Sequence, residues 1–244
     1  MKVIAHRGAS AYAPENTLKA FELAVAMGSR DFEFDVHRTR DGVLVVHHDY
    51  DLKSTAGKPA LIADISYAEL KKFNVAAHRR GAGFHPVPSL VDVMDVIAAP
   101  GEWLNFELKN DGNVYPGIEA ELVAFLRSRK GLLEKSLVSS FDLPSLKRLR
   151  ALAPGLRLGF LGHGLSTLIL GPALRKAKTI GAVNFHIALR LAFKLNVTRI
   201  KKAGFNVCVY TVNTKKDAQR MLKIGVDGIF SNHPDIMGDW VLKG

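Results

Sequence analysis

Eight short apolar runs, separated by amphipathic stretches of helical period, predict a (β/α)8 barrel for this 244-residue chain. The strand–helix alternation from end to end is the first observation. The second is the composition of the runs, which are strand length and rich in Val, Ile, Leu or Phe. The third is that several runs end in ionisable residues, where a parallel barrel opens its mouth. A doubly wound open sheet is the alternative that the same alternation allows.

The runs are KVIAH (2–6), DFEFDVH (31–37), WLNFEL (103–108), SLVSS (136–140), LRLGFL (156–161), AVNFH (182–186), NVCVYTV (206–212) and DGIFS (227–231). Parallel neighbours need right-handed crossovers, and the stretches between the runs supply them. TLKAFELAVAMG follows the first run, with Gly28 as its stop. SLVDVMDVIAAP precedes the third, with Ser89 placed to cap it. PGIEAELVAFLRSR, DLPSLKRLRALAP and TKKDAQRMLKIG come later, and Gly225 closes the last of them as a C′ glycine.

One segment breaks the rhythm. RTRDG follows the second run and leads into VLVVHHD, so Asp41-Gly42 reads as a tight hairpin turn. Residues from about 50 to 88 carry little pattern beyond a short helix near Tyr67 to Lys72. They read as a small insertion over one end of the barrel, inside a single domain of residues 1–244.

Composition bounds the function. A hydrophobic fraction of 48%, a charged fraction of 23% and a mean hydropathy of +0.07 describe one folded domain with a full core and argue against disorder. The net charge of +11 and pI of about 9.8 favour encounters with phosphates, nucleic acid or anionic lipid. A merely solvated basic face explains them equally well. No zinc spacing, basic–aromatic stripe or recognition helix supports nucleic acid as a partner. The single Cys208 excludes an intramolecular disulfide and, within NVCVY, reads as a buried thiol.

No signal peptide is legible, and no run reaches the roughly 18 apolar residues of a membrane span. The longest, LSTLILGPAL, is interrupted by Gly171 and Pro172. The expectation is a cytoplasmic protein without stable membrane insertion. IALRLAFKLNVTRIKKAG combines apolar and basic residues in the manner of an interfacial helix. An outer barrel helix with an apolar inner face is the favoured reading, and peripheral membrane contact stays open.

The unusual polar residues fall in a pattern. Alternate side chains of a strand share a face, so Glu33 and Asp35 point one way while Phe32, Phe34 and Val36 point the other. Glu107 and Lys109 have the same spacing. His6 ends the first run, and His48-Asp49 follows the hairpin run. Three converging carboxylates repel unless a partner neutralises them. A hard divalent cation, Mg²⁺ or Ca²⁺, is one such partner; ordinary ion pairs with Arg and Lys are the other.

Among nine histidines, a structural role is the default for His37, His47, His78, His85, His163, His186 and His233. His6, beside Arg7-Gly8, and His48, beside Asp49, stand apart. Two imidazoles near one metal can divide acid and base roles, while Arg7 and Lys109 bind anionic oxygens. Together these residues describe a site for a phosphate ester.

HRGASAYAPENTLKAF resembles the opening signature of the glycerophosphodiester phosphodiesterase family. FEFDVHRTRDGVLVVHHD resembles its second block and LNFELK its third. SSFD, VYTVN and GVDGIFSNHPD are similar to its closing strands, in the same order, so the resemblance covers essentially the whole chain. It implies a (β/α)8 barrel that hydrolyses glycerophosphodiesters to glycerol 3-phosphate and an alcohol. It implies Glu33, Asp35 and Glu107 as metal ligands, and His6 and His48 as the acid/base pair. Arg7 and Lys109 become phosphate contacts, and Glu15 and Asn16 supporting residues. The resemblance also implies that the neighbouring glycerol hydroxyl is an internal nucleophile, giving a cyclic phosphate that water opens.

Two departures stand out. Tyr210 replaces the family's usual Trp before Thr-Val-Asn, as an aromatic wall over the substrate, and His47 precedes His48. The short insertion resembles the cap of compact bacterial-type members. A lysophospholipase D activity on the same barrel and a catalytically silent binding protein are the competing functions. The intact set of His, Glu, Asp and Lys argues against the latter.

Overall fold

The computed structural model describes residues 1–162 and 170–235. Its chain starts with β1 (Lys2–His6), a helix Leu18–Ala26, β2 (Asp31–Arg38) and β3 (Leu44–Val46). The short β4 (Asp51–Leu52) and β5 (Lys58–Leu61) follow. The remaining strands are β6 (Trp103–Leu108), β7 (Ser136–Ser140), β8 (Arg157–Leu161), β9 (Asn184–Ala188), β10 (Asn206–Tyr210) and β11 (Gly228–Ser231). Helices Leu90–Ile97, Ile118–Ser128, Leu143–Leu152, Leu170–Thr179, Lys194–Lys202 and Lys215–Ile224 lie between them.

β1, β2 and β6 to β11 pair in parallel, and β1 bonds both β2 and β11, so the sheet closes into the expected (β/α)8 barrel. The eight predicted runs supply its eight strands. The sixth starts later than its apolar run suggests. Val183 is still exposed and bonds Leu158, and pairing with β8 begins at Asn184. β3 is the predicted hairpin partner, antiparallel to β2, with the Gly42 N–H donating to the Thr39 carbonyl across the turn.

Two apolar layers follow from the two faces of each strand. Phe32, Phe34 and Phe106 point outward and pack with Phe21, Val93 and Leu122 of the surrounding helices. Each such buried side chain contributes about 2 kcal/mol. Ile4, Trp103, Leu137, Cys208 and Phe230 fill the barrel interior. Burial there pushes the Cys208 thiol up to about 12, an inert group. Val197 and Ile200 are the buried face of helix Lys194–Lys202, the outer-helix arrangement expected for that basic stretch.

The insertion has more order than its sequence suggests. β4 and β5 pair over their own small core of Leu52, Ile62, Leu70 and Val87. Ser66 and Glu69 form a capping box for helix Tyr67–Leu70, as Ser89 and Asp92 do for helix Leu90–Ile97. Arg79 donates to the carbonyls of Ser10 and Ala11, which fixes the insertion over the loop that leaves β1. His163 and the first half of LSTLILGPAL lie outside the described residues. Among the described residues, no helix is long and apolar enough to cross a membrane.

Candidate active site

β1 ends at His6, and the chain turns at once. Arg7 and Gly8 both take left-handed backbone angles, φ 58° and 81°. A Cβ on Gly8 would sit 2.6 Å from the backbone of Ala20, so only glycine lets this loop lie against helix Leu18–Ala26. The Arg7 N–H is held by the Glu33 carbonyl at 3.0 Å and approaches Glu33 Oε2 at 3.2 Å. Its guanidinium donates to Glu15 Oε1 at 2.9 Å, and its Nε lies 3.4 Å from Asp35 Oδ2. Asn16, buried and also left-handed, donates from Nδ2 to the same Asp35 oxygen at 2.8 Å. PENT therefore holds both a cation and a carboxylate.

Glu33 and Asp35 project inward from β2, and Glu107 from β6, where Asp35 and Glu107 are register partners. One oxygen from each lies within 4.8 Å of the other two. The Lys109 ammonium lies 2.9 Å from Asp35 Oδ1 and is hydrogen-bonded to Glu107. Burial opposes ionisation of Asp35, but Lys109 and Arg7 overcome it and hold this carboxyl well below the usual range. Glu33 goes the other way. Burial, then the charges of Asp35 and Glu107, push it well above the usual range. Its Oε1 is buried, with no hydrogen-bond partner among the described residues. A close set of hard oxygen donors, one of them unpartnered, fits Mg²⁺ or Ca²⁺.

The imidazoles complete the mouth. Asn232 Oδ1 lies 2.7 Å from His6 Nδ1. A carboxamide oxygen only accepts, so Nδ1 carries the proton and Nε2 the lone pair. Burial, reinforced by Arg7, lowers His6 to about 3, so the ring is neutral. His48 bonds Asp49 Oδ1 through Nδ1 at 2.7 Å, and Ser54 bonds the other Asp49 oxygen. His47 is turned away, with Nε2 3.3 Å from the Asp51 carbonyl. His6, Arg7, Glu33, His48, Glu107 and Tyr210 line one cavity. The Tyr210 ring stands edge-on to that of Phe141, and both line this cavity.

The sequence reading missed Asn232, which fixes the His6 tautomer, although it stands in the quoted SNHPD run. It gave Asp49 no role beyond adjacency. It also placed His186 among the structural histidines, whereas that ring lines the cavity.

Closely set carboxylates, two imidazoles and two cations at the mouth of a parallel barrel define a hydrolase of the phosphate-ester class. The family model described as "Glycerophosphoryl diester phosphodiesterase family" matches residues 6–236, and the chain belongs to that family. A glycerophosphodiester phosphodiesterase of Caldanaerobacter subterraneus subsp. tengcongensis is 35% identical, over 99% of this chain and 98% of its own. One from Bacillus altitudinis is also 35% identical, over 96% and 95%. Among solved structures, an Oleispira antarctica phosphodiesterase in complex with the product sn-glycerol-3-phosphate superposes with a TM-score of 0.88. It is 29% identical and covers 99% of this chain and 96% of its own.

Proposed function

We propose that residues 1–244 work as one unit that hydrolyses small glycerophosphodiesters to glycerol 3-phosphate and an alcohol. The observation that carries this reading is the convergence of His6, His48, Glu33 and Glu107 on one cavity, with Arg7 beside them. Glu33, Asp35 and Glu107 would hold one divalent ion, Mg²⁺ or Ca²⁺. When bound, that ion supplies Lewis acidity to the phosphoryl oxygens.

The protein's own groups do the rest. Arg7 and Lys109 draw the phosphodiester to the mouth, Glu15 steadies the Arg7 fork, and Asn16 steadies Asp35. Tyr210 forms a wall beside the substrate. His6, neutral and with its lone pair on Nε2, accepts the proton of the glycerol hydroxyl next to the ester. That oxygen attacks phosphorus, an intramolecular step favoured by proximity. The proton for the departing alkoxide falls to His48, whose ring Asp49 orients. Water then opens the cyclic phosphate with the proton transfers reversed.

The test is glycerol 3-phosphate release from glycerophosphocholine and glycerophosphoethanolamine. The protein is stripped of metal and then restored with Mg²⁺ or Ca²⁺, beside His6→Ala and Glu33→Ala. Metal-dependent release that both variants lose is the expected result. No release with either ion overturns the reading. Exposed Phe193 and Leu195, just beyond β9, favour lysophospholipids at a membrane surface as the second reading, so these are assayed next. A cytoplasmic site of action rests on the sequence reading.

A further inference from the structure

The barrel interior beneath the carboxylates holds polar groups that the chemistry above does not use. Asn105 precedes Glu107 by two residues on β6 and shares its face. Ser139, on β7, is the register partner of Glu107, and Gly159, on β8, is the partner of Ser139. His186 projects from β9. Asn105, Ser139 and His186 are at most 1% exposed. Among the described residues, Asn105 Oδ1, Ser139 Oγ and both ring nitrogens of His186 have no hydrogen-bond partner. Asn105 and His186 line the same cavity as His6 and Glu33. Buried polar groups are almost always paired, so such a cluster, two of whose members line a cavity, points to a ligand that pairs them.

Gly159 keeps two of these groups close together. A Cβ there would lie 3.1 Å from His186 Cε1, 3.1 Å from Ser139 Cβ and 2.9 Å from a methyl of Leu137. Glycine thus lets the Ser139 and His186 side chains pack closely over this strand, and a methyl would push them apart. The chemistry of the floor is neutral. Burial lowers His186 to about 3, so the ring offers one donor and one acceptor. The Ser139 hydroxyl offers both, and Asn105 an acceptor. The anionic phosphoryl group belongs with Arg7 and Lys109 above. The Phe230 ring lies between the two levels, 5.0 Å from His186 and 6.5 Å from His6, centroid to centroid.

A glycerophosphodiester has one small neutral group of matching chemistry, the glycerol hydroxyl farthest from the ester. The variable alcohol needs the open side of the cavity. We propose that Asn105, Ser139 and His186 form a hydroxyl-binding subsite in the barrel floor that takes this far hydroxyl. This rests on the proposed function and names which end of the substrate enters first. Anchored from below, the glycerol presents its middle hydroxyl to His6.

The experiment compares two diesters with the same leaving alcohol, one of glycerol and one of ethylene glycol. The second keeps the hydroxyl beside the ester and lacks the far one. With the metal-loaded protein, kcat/KM favours the glycerol diester by about 10–100-fold, the discrimination a site built to hydrogen-bond a hydroxyl achieves or exceeds. In Ser139→Ala, His186→Leu and Gly159→Ala that ratio falls about tenfold. Calorimetric binding of glycerol 3-phosphate against 2-hydroxyethyl phosphate loses its preference in the same variants. Ser139→Ala, the least disruptive change, decides the matter if His186→Leu does not fold. A wild-type ratio near one overturns the subsite and leaves the hydrolase reading standing. Equal losses on both diesters also overturn it, since the floor then only supports the barrel. Wild-type protein that cleaves neither diester removes the hydrolase reading and the subsite with it.

Discussion

Asn232 Oδ1 lies 2.7 Å from His6 Nδ1, joining the residue after the last barrel strand to the end of the first. This contact leaves the His6 lone pair on Nε2, 3.8 Å from Glu33 Oε2. Asn232→Leu removes the constraint on tautomer and ring angle, and kcat/KM is expected to fall about 10²-fold, in the range for losing a positioned base. Asn232→Asp keeps an acceptor but adds a negative charge, which favours the imidazolium. A base must be neutral to act, so the acidic limb of its pH–rate profile moves to higher pH. Rate profiles of both variants check this; an unmoved limb in Asn232→Asp removes His6 as the base.

Glu33 is the carboxyl that most needs a cation. Burial and its two acidic neighbours hold it protonated above the usual range, so proton and metal compete for it. Metal binding is therefore expected to release a proton and to tighten as pH rises, by up to about tenfold per unit for one proton. Titration calorimetry in two buffers of different ionisation enthalpy measures the release directly. Glu33→Gln abolishes it. A metal at 100 times its Kd would also stabilise the wild-type fold by about 2.7 kcal/mol. Equal binding across pH, without proton release, would mean that Glu33 is no ligand.

Lys109 joins two of the three carboxylates, lying against Asp35 and Glu107 while itself almost fully buried. Lys109→Met leaves those buried charges with Arg7 alone, and breaking a buried pair costs about 3–5 kcal/mol. Chemical unfolding of the metal-free variant reads this loss. Added Mg²⁺ or Ca²⁺ restores part of it, because the ion replaces the missing positive charge among the same oxygens. No greater metal response than in the wild type would place the ion elsewhere.

Most of the barrel was legible because its signals are local. Strand-length apolar runs and helical periods mark the elements, and the alternation of Glu33 and Asp35 with Phe32 and Phe34 separates inner from outer face. The same alternation gave the carboxylate set. What stayed hidden depends on contacts distant in sequence. Asn232 and His6 are 226 residues apart and meet only when the barrel closes. His186 looks structural in NFHIA, and only the geometry of three neighbouring strands shows its nitrogens, beside Gly159 and Ser139, without a partner among the described residues. The insertion hid its small sheet because β4 and β5 are too short to show a period.

His37 carries the last prediction. Its Nδ1 bonds the Tyr115 hydroxyl at 2.8 Å, and its Nε2 lies 3.3 Å from the carbonyl of His48. It is fully buried, and burial, with His47 nearby, lowers it from 6.5 to about 3. The unfolded chain therefore takes up this proton near pH 6.5 while the folded chain refuses it. Stability from this residue is fully present above that value and is lost as pH falls toward 3. Between pH 7 and pH 5 the loss is about 1–2 kcal/mol for one such group. Urea unfolding at both pH values, compared with His37→Gln, isolates the contribution. The glutamine variant is less stable at pH 7, because a buried bond is lost, yet its stability falls less on acidification. Parallel slopes for the two proteins would mean that His37 takes up its proton alike in the folded and unfolded chains.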